Sequence, residues 1–562
     1  MRGFAENQGL RVRGTAGNHT VLLGFDLDDP AGCLGFGIHR TDHTEDESYW
    51  LRGMKVFRSV VPEPAPGMDF STRDHPIQGF QWGDYTAKPD HEYTYRVVAY
   101  RGTPGHLVPL AETSVGVHTE AEDDGVHGIW FNRGVAGSQA FVKRFGQCLP
   151  PRGADETHPS FAWLSRGLGE AFVRFVKRAN GPEWGLRGAF YEFTWQKALN
   201  ALKEAAASGA DVSLVVHGRD KDSATGEDKD HTAADNRDAV MTAGLDKVII
   251  WRTAPNKSAL QHNKFLVLTH NGSPVAVWTG STNLTQGGVY GHLNVGHLIS
   301  DAVVAGQFLD YWTQLAEQAN TTALMRTWTE THNEVDLAQD PDDGLTTILS
   351  PRATKSTLLS WYAGQFDKAV ESAHITGAFG INKVFRDKLA VDRDIVRTVM
   401  LDQPPDPGQG IPKNDPDVRI VWGDYLRHVG LEQWAAEELT NFNTWVKFVH
   451  TKIILIDPMS GSPTTLTGSA NYSDNSTTDN EENTVIIRGD DEASKRVADI
   501  YLTEYHRLFM HFVFRDWANP RPGSKATGVA PRLQEKPDWS DAYYEPGSWR
   551  ARQRAMFAAP IV

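Results

Sequence analysis

Cysteine is nearly absent: Cys33 and Cys148 are the only two among 562 residues. That excludes a disulfide framework and a cysteine-ligated zinc site, and leaves both thiols buried or free. Long apolar runs are missing too, and no uninterrupted stretch reaches membrane-spanning length. The opening "MRGFAENQGLRVRG" has no apolar core of a secretory leader, so the expected location is cytoplasmic, with secretion by another route left open. Positive charge is scarce: 56 Lys and Arg face 71 Asp and Glu, for a net charge of −15. Loose, non-specific nucleic-acid binding needs the opposite balance, although a local basic cleft is compatible with it. What is present is ordinary for a soluble globular chain, 40% hydrophobic and 23% charged residues, at a length that suits three or four domains.

The first 120 residues read as β-structure. "EYTYRVVAY" (92–100) alternates like a half-buried strand, and Pro/Gly stretches such as "VPEPAPG" separate short strand candidates. An accessory β-sandwich over 1–120 is expected, followed by an acidic linker "TEAEDDG" (119–125). "YTYRVVAY" followed by "SVGVHTE" resembles the last strands of a fibronectin type III domain.

From 126 the pattern becomes mixed α/β. "RGAFYEFTW" (187–195) predicts a strand. A helix follows, with apolar positions 198, 199, 202, 205 and 206, and it stops at Gly209. "VSLVV" (212–216) is again a strand, giving a strand–helix–strand unit with a parallel pair. The second half repeats the plan with "HITGAFGI" (374–381), "NKVFRDKLA", "IVRTVML" (395–401) and "VRIVW" (418–422). Two duplicated α/β domains are expected, over 126–335 and 345–520. An extension over 521–562 should pack back over them. The charged segment 218–238 lacks apolar periodicity and reads as a surface loop or a flap over a crevice, with His217 at the carboxyl end of the preceding strand.

Within the repeat, chemistry is kept while packing residues drift. "LQHNKFLVLT" (260–269) and "FVHTKIILID" (448–457) both read as strands with a His and a Lys two apart, hence on one face. His262 and His450 are 188 residues apart, and so are Lys264 and Lys452, Gly280 and Gly468, Ser281 and Ser469, and Asn283 and Asn471. Eleven residues beyond each Asn stand Asn294 and Glu482, at the same offset. Trp278, Tyr290, Phe442 and Trp445 lie near these motifs as candidates for a groove wall or for core.

"HNK…GSTN" and "HTKIILID…GSAN" resemble the tandem HxKxxxxD and GSxN motifs of the phospholipase D superfamily, over roughly 126–515. The resemblance implies two α/β domains whose motifs meet at one active site on a pseudo-twofold axis. It also implies a phosphodiesterase with no cofactor and no metal. Thr269 departs from the pattern, standing where the family has Asp, whereas Asp457 keeps it. Since that Asp is structural in the family, a local rearrangement is expected.

These residue types suit phosphodiester displacement. Lys264, Lys452, Asn283 and Asn471 supply positive charge and donors to the equatorial oxygens. Ser281, Ser469 and Asn294 are candidates for substrate contact, the serines alternatively for shaping the turn. One histidine attacks phosphorus, and the other protonates the leaving oxygen and then activates water or an alcohol. If the residue eleven past each Asn contacts the histidine of its own half, Glu482 partners His450 and Asn294 partners His262. That arrangement makes His262 the nucleophile and His450 the general acid, because a carboxylate favours imidazolium. The expected substrate is a phospholipid, hydrolysed or transferred to an alcohol without stable membrane insertion. The alternative is nucleic acid, cut by a nuclease or an end-processing phosphodiesterase. A scaffold without activity has only Thr269 in its favour.

Overall fold

The computed structural model describes residues 1–561 except 66, 135–138, 147–155, 220–230, 254–258, 318, 354–356, 406–414, 425–445 and 519–531. Most of the flap candidate, Phe442, Trp445 and Cys148 therefore lie outside the described residues.

The amino-terminal strands form two four-stranded antiparallel sheets. One has the order Arg2–Asn7, Leu10–Ala16, Val21–Leu27, Gln81–Asp84. The other runs His106–His118, Glu92–Thr103, Gly35–Asp42, Glu47–Trp50. Alternate residues such as Val12, Leu23, Phe25, Ile38, Tyr95 and Val97 point inward and form one core, as a sandwich requires. Cys33 is buried there, and burial pushes its thiol up to about 11.

Both later halves contain a seven-stranded mixed sheet of the same order. The first runs His127–Phe131, Val295–Ile299, Ser273–Gly280, Lys264–His270, Trp184–Phe190, Asp211–His217, Ile249–Arg252. The second runs Gly344–Ser350, Glu482–Arg488, Thr464–Gly468, Ile453–Ile456, Ser372–Gly377, Val396–Leu401, Val418–Trp422. The strand–helix–strand expectation holds, because Trp184–Phe190 and Asp211–His217 pair in parallel around helix Gln196–Ala207. Gly209, at φ +97°, lets the chain turn back after that helix.

The two sheets share a core. Helices Ala302–Ala316 and Glu492–Ala518 lie between them, and Phe308, Tyr311, Ile500, Leu508 and Phe512 join strand residues from both sheets. The motif strand "KFLVLTH" is covered on both faces, which explains its run of apolar residues without alternation.

The acidic segment 119–125 is pinned rather than loose. Glu120 and Asp124 pair with Arg496 at 3.3 and 3.1 Å, and Glu122 lies 2.9 Å from His19. The carboxyl-terminal extension departs from expectation, because its aromatic residues enter the sandwich first. Trp539 joins the sandwich core and donates to the Cys33 carbonyl at 2.9 Å, and Tyr544 donates to the Leu27 carbonyl at 2.6 Å. Helix Trp549–Phe557 reaches the second half, where Arg552 binds Asp394 at 2.8 Å and Phe557 enters the shared core.

Candidate active site

Neither motif histidine lies in a regular strand. The strands begin at Lys264 and Ile453, and the residues before them form a lead-in that pairs with the opposite half. The His262 N–H donates to the Glu481 carbonyl at 2.9 Å, and the Glu481 N–H donates to the Leu260 carbonyl at 2.8 Å. At the symmetry-related place the His450 N–H donates to the Leu293 carbonyl at 3.1 Å, and the Leu293 N–H to the Phe448 carbonyl at 2.8 Å. Parallel bridges Gln261–Glu481 and Leu293–Val449 thus stitch the halves together around a pseudo-twofold axis.

This stitching corrects the expected partnership. Glu481 and Leu293 immediately precede Glu482 and Asn294, so each of those side chains is delivered to the other half's histidine. Nδ1 of His262 lies 2.7 Å from Oε1 of Glu482, and Nδ1 of His450 lies 3.0 Å from Oδ1 of Asn294. The own-half pairing, Glu482 with His450 and Asn294 with His262, does not occur. The role assignment built on it therefore loses its premise.

The surroundings fix these partners. Asn294 accepts from Ser281 Oγ at 2.8 Å and donates through Nδ2 to the Gly288 carbonyl at 2.8 Å. With the amide so oriented, its oxygen accepts a hydrogen bond from the His450 Nδ1–H and leaves Nε2 unprotonated in the neutral ring. Glu482 accepts from Ser476 Oγ and from Asn480 Nδ2, the latter at 3.2 Å. Ser281 and Ser469 are fully buried and accept the N–H of Val295 and Asn483 at 3.1 and 3.0 Å. They shape the turns beside the site, and Asn294 is likewise buried behind His450. All three are buried and hydrogen-bonded to neighbouring protein groups.

Lys264 Nζ donates to the His262 carbonyl at 2.7 Å, and Lys452 Nζ donates to the His450 carbonyl. Each lysine thus folds back beside its own histidine. Four buried bases now share one place, and their protonated forms suffer. Burial and Lys264 push His262 down to about 4, although Glu482 pulls the other way. Burial, Lys452 and His292 push His450 well below its ordinary range. Burial lowers Lys264 to about 7, and burial together with Lys264 lowers Lys452 well below its ordinary value. A bound anion would favour their protonated forms.

Several contributors carried no motif signal. Tyr191 has its ring 5.0 Å from that of His262 and 5.3 Å from Lys264 Nζ. Glu192 accepts from Asn283 Nδ2 at 2.5 Å. The predicted strand 187–195 ends at Phe190, and Phe193 bridges to Leu284, so Tyr191 and Glu192 are turned onto the first motif. Asp402, at the end of Val396–Leu401, accepts from the N–H groups of Phe448 and Val449 at 2.6 and 2.9 Å and fixes the second lead-in. Carboxyl ends of predicted parallel strands were the available clue to both places. His217 stands 5.1 Å from Tyr191, one ring removed from His262. Trp278 stacks on Trp130 and Tyr290 donates to Glu156 within the outer core, so neither lines a groove.

At Thr269 the expected rearrangement is present as a register shift between Leu268 and Thr269. In the second half Asp457 accepts the N–H groups of Val370, Glu371 and Ser372 at 2.9, 2.7 and 2.9 Å.

A family profile described as "Cardiolipin synthase, PLD-like domain" matches residues 182–316 and 381–504, one stretch in each half. The two halves are phospholipase D-like domains. Solved structures similar to the pair include phosphatidylserine synthase of Haemophilus influenzae Rd KW20. It is 11% identical, with 62% of this chain and 85% of that one covered and a TM-score of 0.43. Yeast tyrosyl-DNA phosphodiesterase is 12% identical over 56% of this chain and 87% of that one, with a TM-score of 0.28. Nuc of Salmonella typhimurium is 24% identical over 27% of this chain and 87% of that one, with a TM-score of 0.21. No sequence among curated proteins matches the chain significantly. Among the described residues of the phospholipase D-like pair and its flanking parts, no helix is long and apolar enough to cross a membrane.

Proposed function

We propose that the chain is a phosphodiesterase that acts through a phosphohistidine at His262. The supporting observation is the crossed pairing: a carboxylate stands behind His262 and an amide behind His450. Nδ1 of His262 faces Glu482, which leaves Nε2 to attack phosphorus. Attack leaves positive charge on the ring, and Glu482 offsets it in a dry site where such compensation is strong. His450, once protonated under a bound anion, is held only by a neutral amide and surrenders its proton readily to the leaving oxygen. It then takes a proton from water or an alcohol, whose oxygen displaces His262 from phosphorus. Lys264, Lys452, Asn283 and Asn471 bind the equatorial oxygens throughout, so these steps need no metal.

The preferred substrate is a phospholipid, hydrolysed at its distal phosphodiester or transferred to an alcohol. Phe379 supports this reading. It is 69% exposed and lies three residues beyond Thr376, which binds the Thr451 carbonyl of the second motif, so it offers an acyl chain one apolar contact. The net charge of −15 also fits a lipid better than a polyanion.

The test is a paired assay with excess EDTA, using mixed phospholipid vesicles in one arm and single-stranded and duplex nucleic acid in the other. Head-group release lost in His262→Ala and His450→Ala is the expected result. Nucleic-acid cleavage without head-group release would replace the substrate. Acid-labile phosphate trapped on His450 with His262 unmodified would reverse the two roles.

A further inference from the structure

We infer that Glu192 makes the site selective for a singly charged phosphodiester over a doubly charged phosphomonoester; this rests on the phosphodiesterase reading. Glu192 follows strand Trp184–Phe190 and is only partly buried, whereas His262, Lys264, His450 and Lys452 are buried. It therefore stands on the outer side of the cluster. Its carboxylate accepts from Asn283 Nδ2 at 2.5 Å, one of the donors assigned to the phosphoryl oxygens. Its charge also reaches both Lys264 and Lys452, favouring their ammonium forms.

The place is held by backbone as well as by charge. The Tyr191 N–H donates to the Asn263 carbonyl at 3.0 Å, and the Leu284 N–H donates to the Glu192 carbonyl at 3.2 Å. Glu192 is thus clamped between the two parts of the first motif. At the corresponding strand end the second half has no carboxylate; its Asp402, which also acts on Lys452, lies at the end of the next strand and is taken up by the N–H groups of Phe448 and Val449. Phe379 and Gly380, which follow the corresponding strand, carry no charge, and Gly380 adopts φ +92°. At this strand end the carboxylate is present in one half only.

Charge balance gives the consequence. Two ammonium groups face the carboxylates Glu482 and Glu192, with Asp402 also acting on Lys452, and a diester brings one further negative charge. A monoester at neutral pH brings about two, because its second pKa lies near 6. The extra charge falls beside Glu192 in a poorly solvated place, where like charges repel strongly. Glu192 therefore admits the diester and weakens the hold on the monoester product of hydrolysis. It is a specificity-determining residue.

Glu192→Gln keeps the shape and still offers an oxygen to Asn283, so it changes mainly charge. Binding of diphenyl phosphate, a monoanion, and phenyl phosphate, a dianion at pH 8, is measured by calorimetry on the full chain. The wild-type protein should prefer diphenyl phosphate, and Glu192→Gln should raise the phenyl phosphate affinity at least tenfold relative to diphenyl phosphate. An unchanged ratio, with both anions bound by the wild type, would overturn the role of Glu192 and leave the phosphodiesterase reading standing. Absence of binding of either anion to the wild type would overturn both.

Discussion

Arg252 and Glu481 form a fully buried ion pair across the seam between the halves, with Nη2 and Oε1 2.6 Å apart. Arg252 ends the last strand of the first sheet, and Glu481 precedes the carboxylate that reaches His262. Arg252 also donates to the carbonyls of Glu317 and Asn320 at 3.0 and 2.7 Å. Removing it strands a buried carboxylate. Arg252→Ala should destabilise the protein by about 3–5 kcal/mol and depress turnover, because Glu482 loses its register. Thermal unfolding and activity measured together check this; a variant with normal unfolding and normal turnover contradicts it.

Replacing Asn294 by Asp puts a carboxylate behind His450. Its imidazolium should be held more tightly, which raises its pKa, the direction opposite to burial. If His450 is the general acid, the alkaline limb of the pH–rate profile moves up in Asn294→Asp. A limb that stays in place removes His450 from that role.

Anion binding should take up protons. Burial holds Lys264 near 7 and, together with Lys264, lowers Lys452 well below its ordinary value, and a bound oxyanion favours their ammonium forms. Affinity for an oxyanion should therefore fall as pH rises above 7, approaching about tenfold per unit for each linked proton. Calorimetry at pH 8 in buffers of different ionisation enthalpy reads the uptake directly. Zero uptake would mean that the lysines are already charged.

Acid should weaken the fold. Burial holds His262 near 4 and His506 near 3, whereas unfolded histidines bind protons near 6.5. The unfolded chain then binds more protons, so stability present above pH 6.5 is lost as pH falls towards 4, on the order of 3 kcal/mol for His262 alone. Both ring nitrogens of His506 lack partners among the described residues, and its ring packs 4.8 Å from that of Phe557. His506→Leu should flatten the fall in melting temperature between pH 7.5 and 5. An equally steep fall in that variant would exclude His506 as a contributor.

Asp457 and Thr269 should respond unequally to exchange. Asp457→Ala leaves three N–H groups without their acceptor and should cost about 1–3 kcal/mol. Thr269→Asp should destabilise instead of restoring the motif. Thr269 is buried beyond a register shift, and its Oγ1 already crowds the place a Cβ would take at Gly185. A rise in melting temperature for Thr269→Asp would refute this.

Much of the duplicated plan is legible in the sequence, because the 188-residue offset of His262/His450, Lys264/Lys452 and Asn283/Asn471 survives where packing does not. The partner of each histidine was not legible. Offset arithmetic relates equivalent residues, but it does not say which copy a side chain meets, and a twofold seam exchanges the copies. Tyr191 and Glu192 were hidden for another reason. "AFYEFTW" continues a β-like pattern past Phe190, and only the bridge from Phe193 to Leu284 breaks the strand. Trp539 and Tyr544 were assigned to the wrong neighbour because aromatic content announces burial and is silent about which core receives it.

The exchange of lead-ins at Gln261–Glu481 and Leu293–Val449 also bears on descent. Two identical subunits joined by the same seam must place the same residue behind both histidines, since an isologous contact repeats every side chain. A carboxylate behind one and an amide behind the other cannot arise in such a dimer by any single substitution. Joining the copies in one chain lifts that restriction, so nucleophile and acid become separately mutable positions. A built-in difference between the partners of the two histidines is thus open to two copies fused in one chain and closed to a dimer of identical subunits.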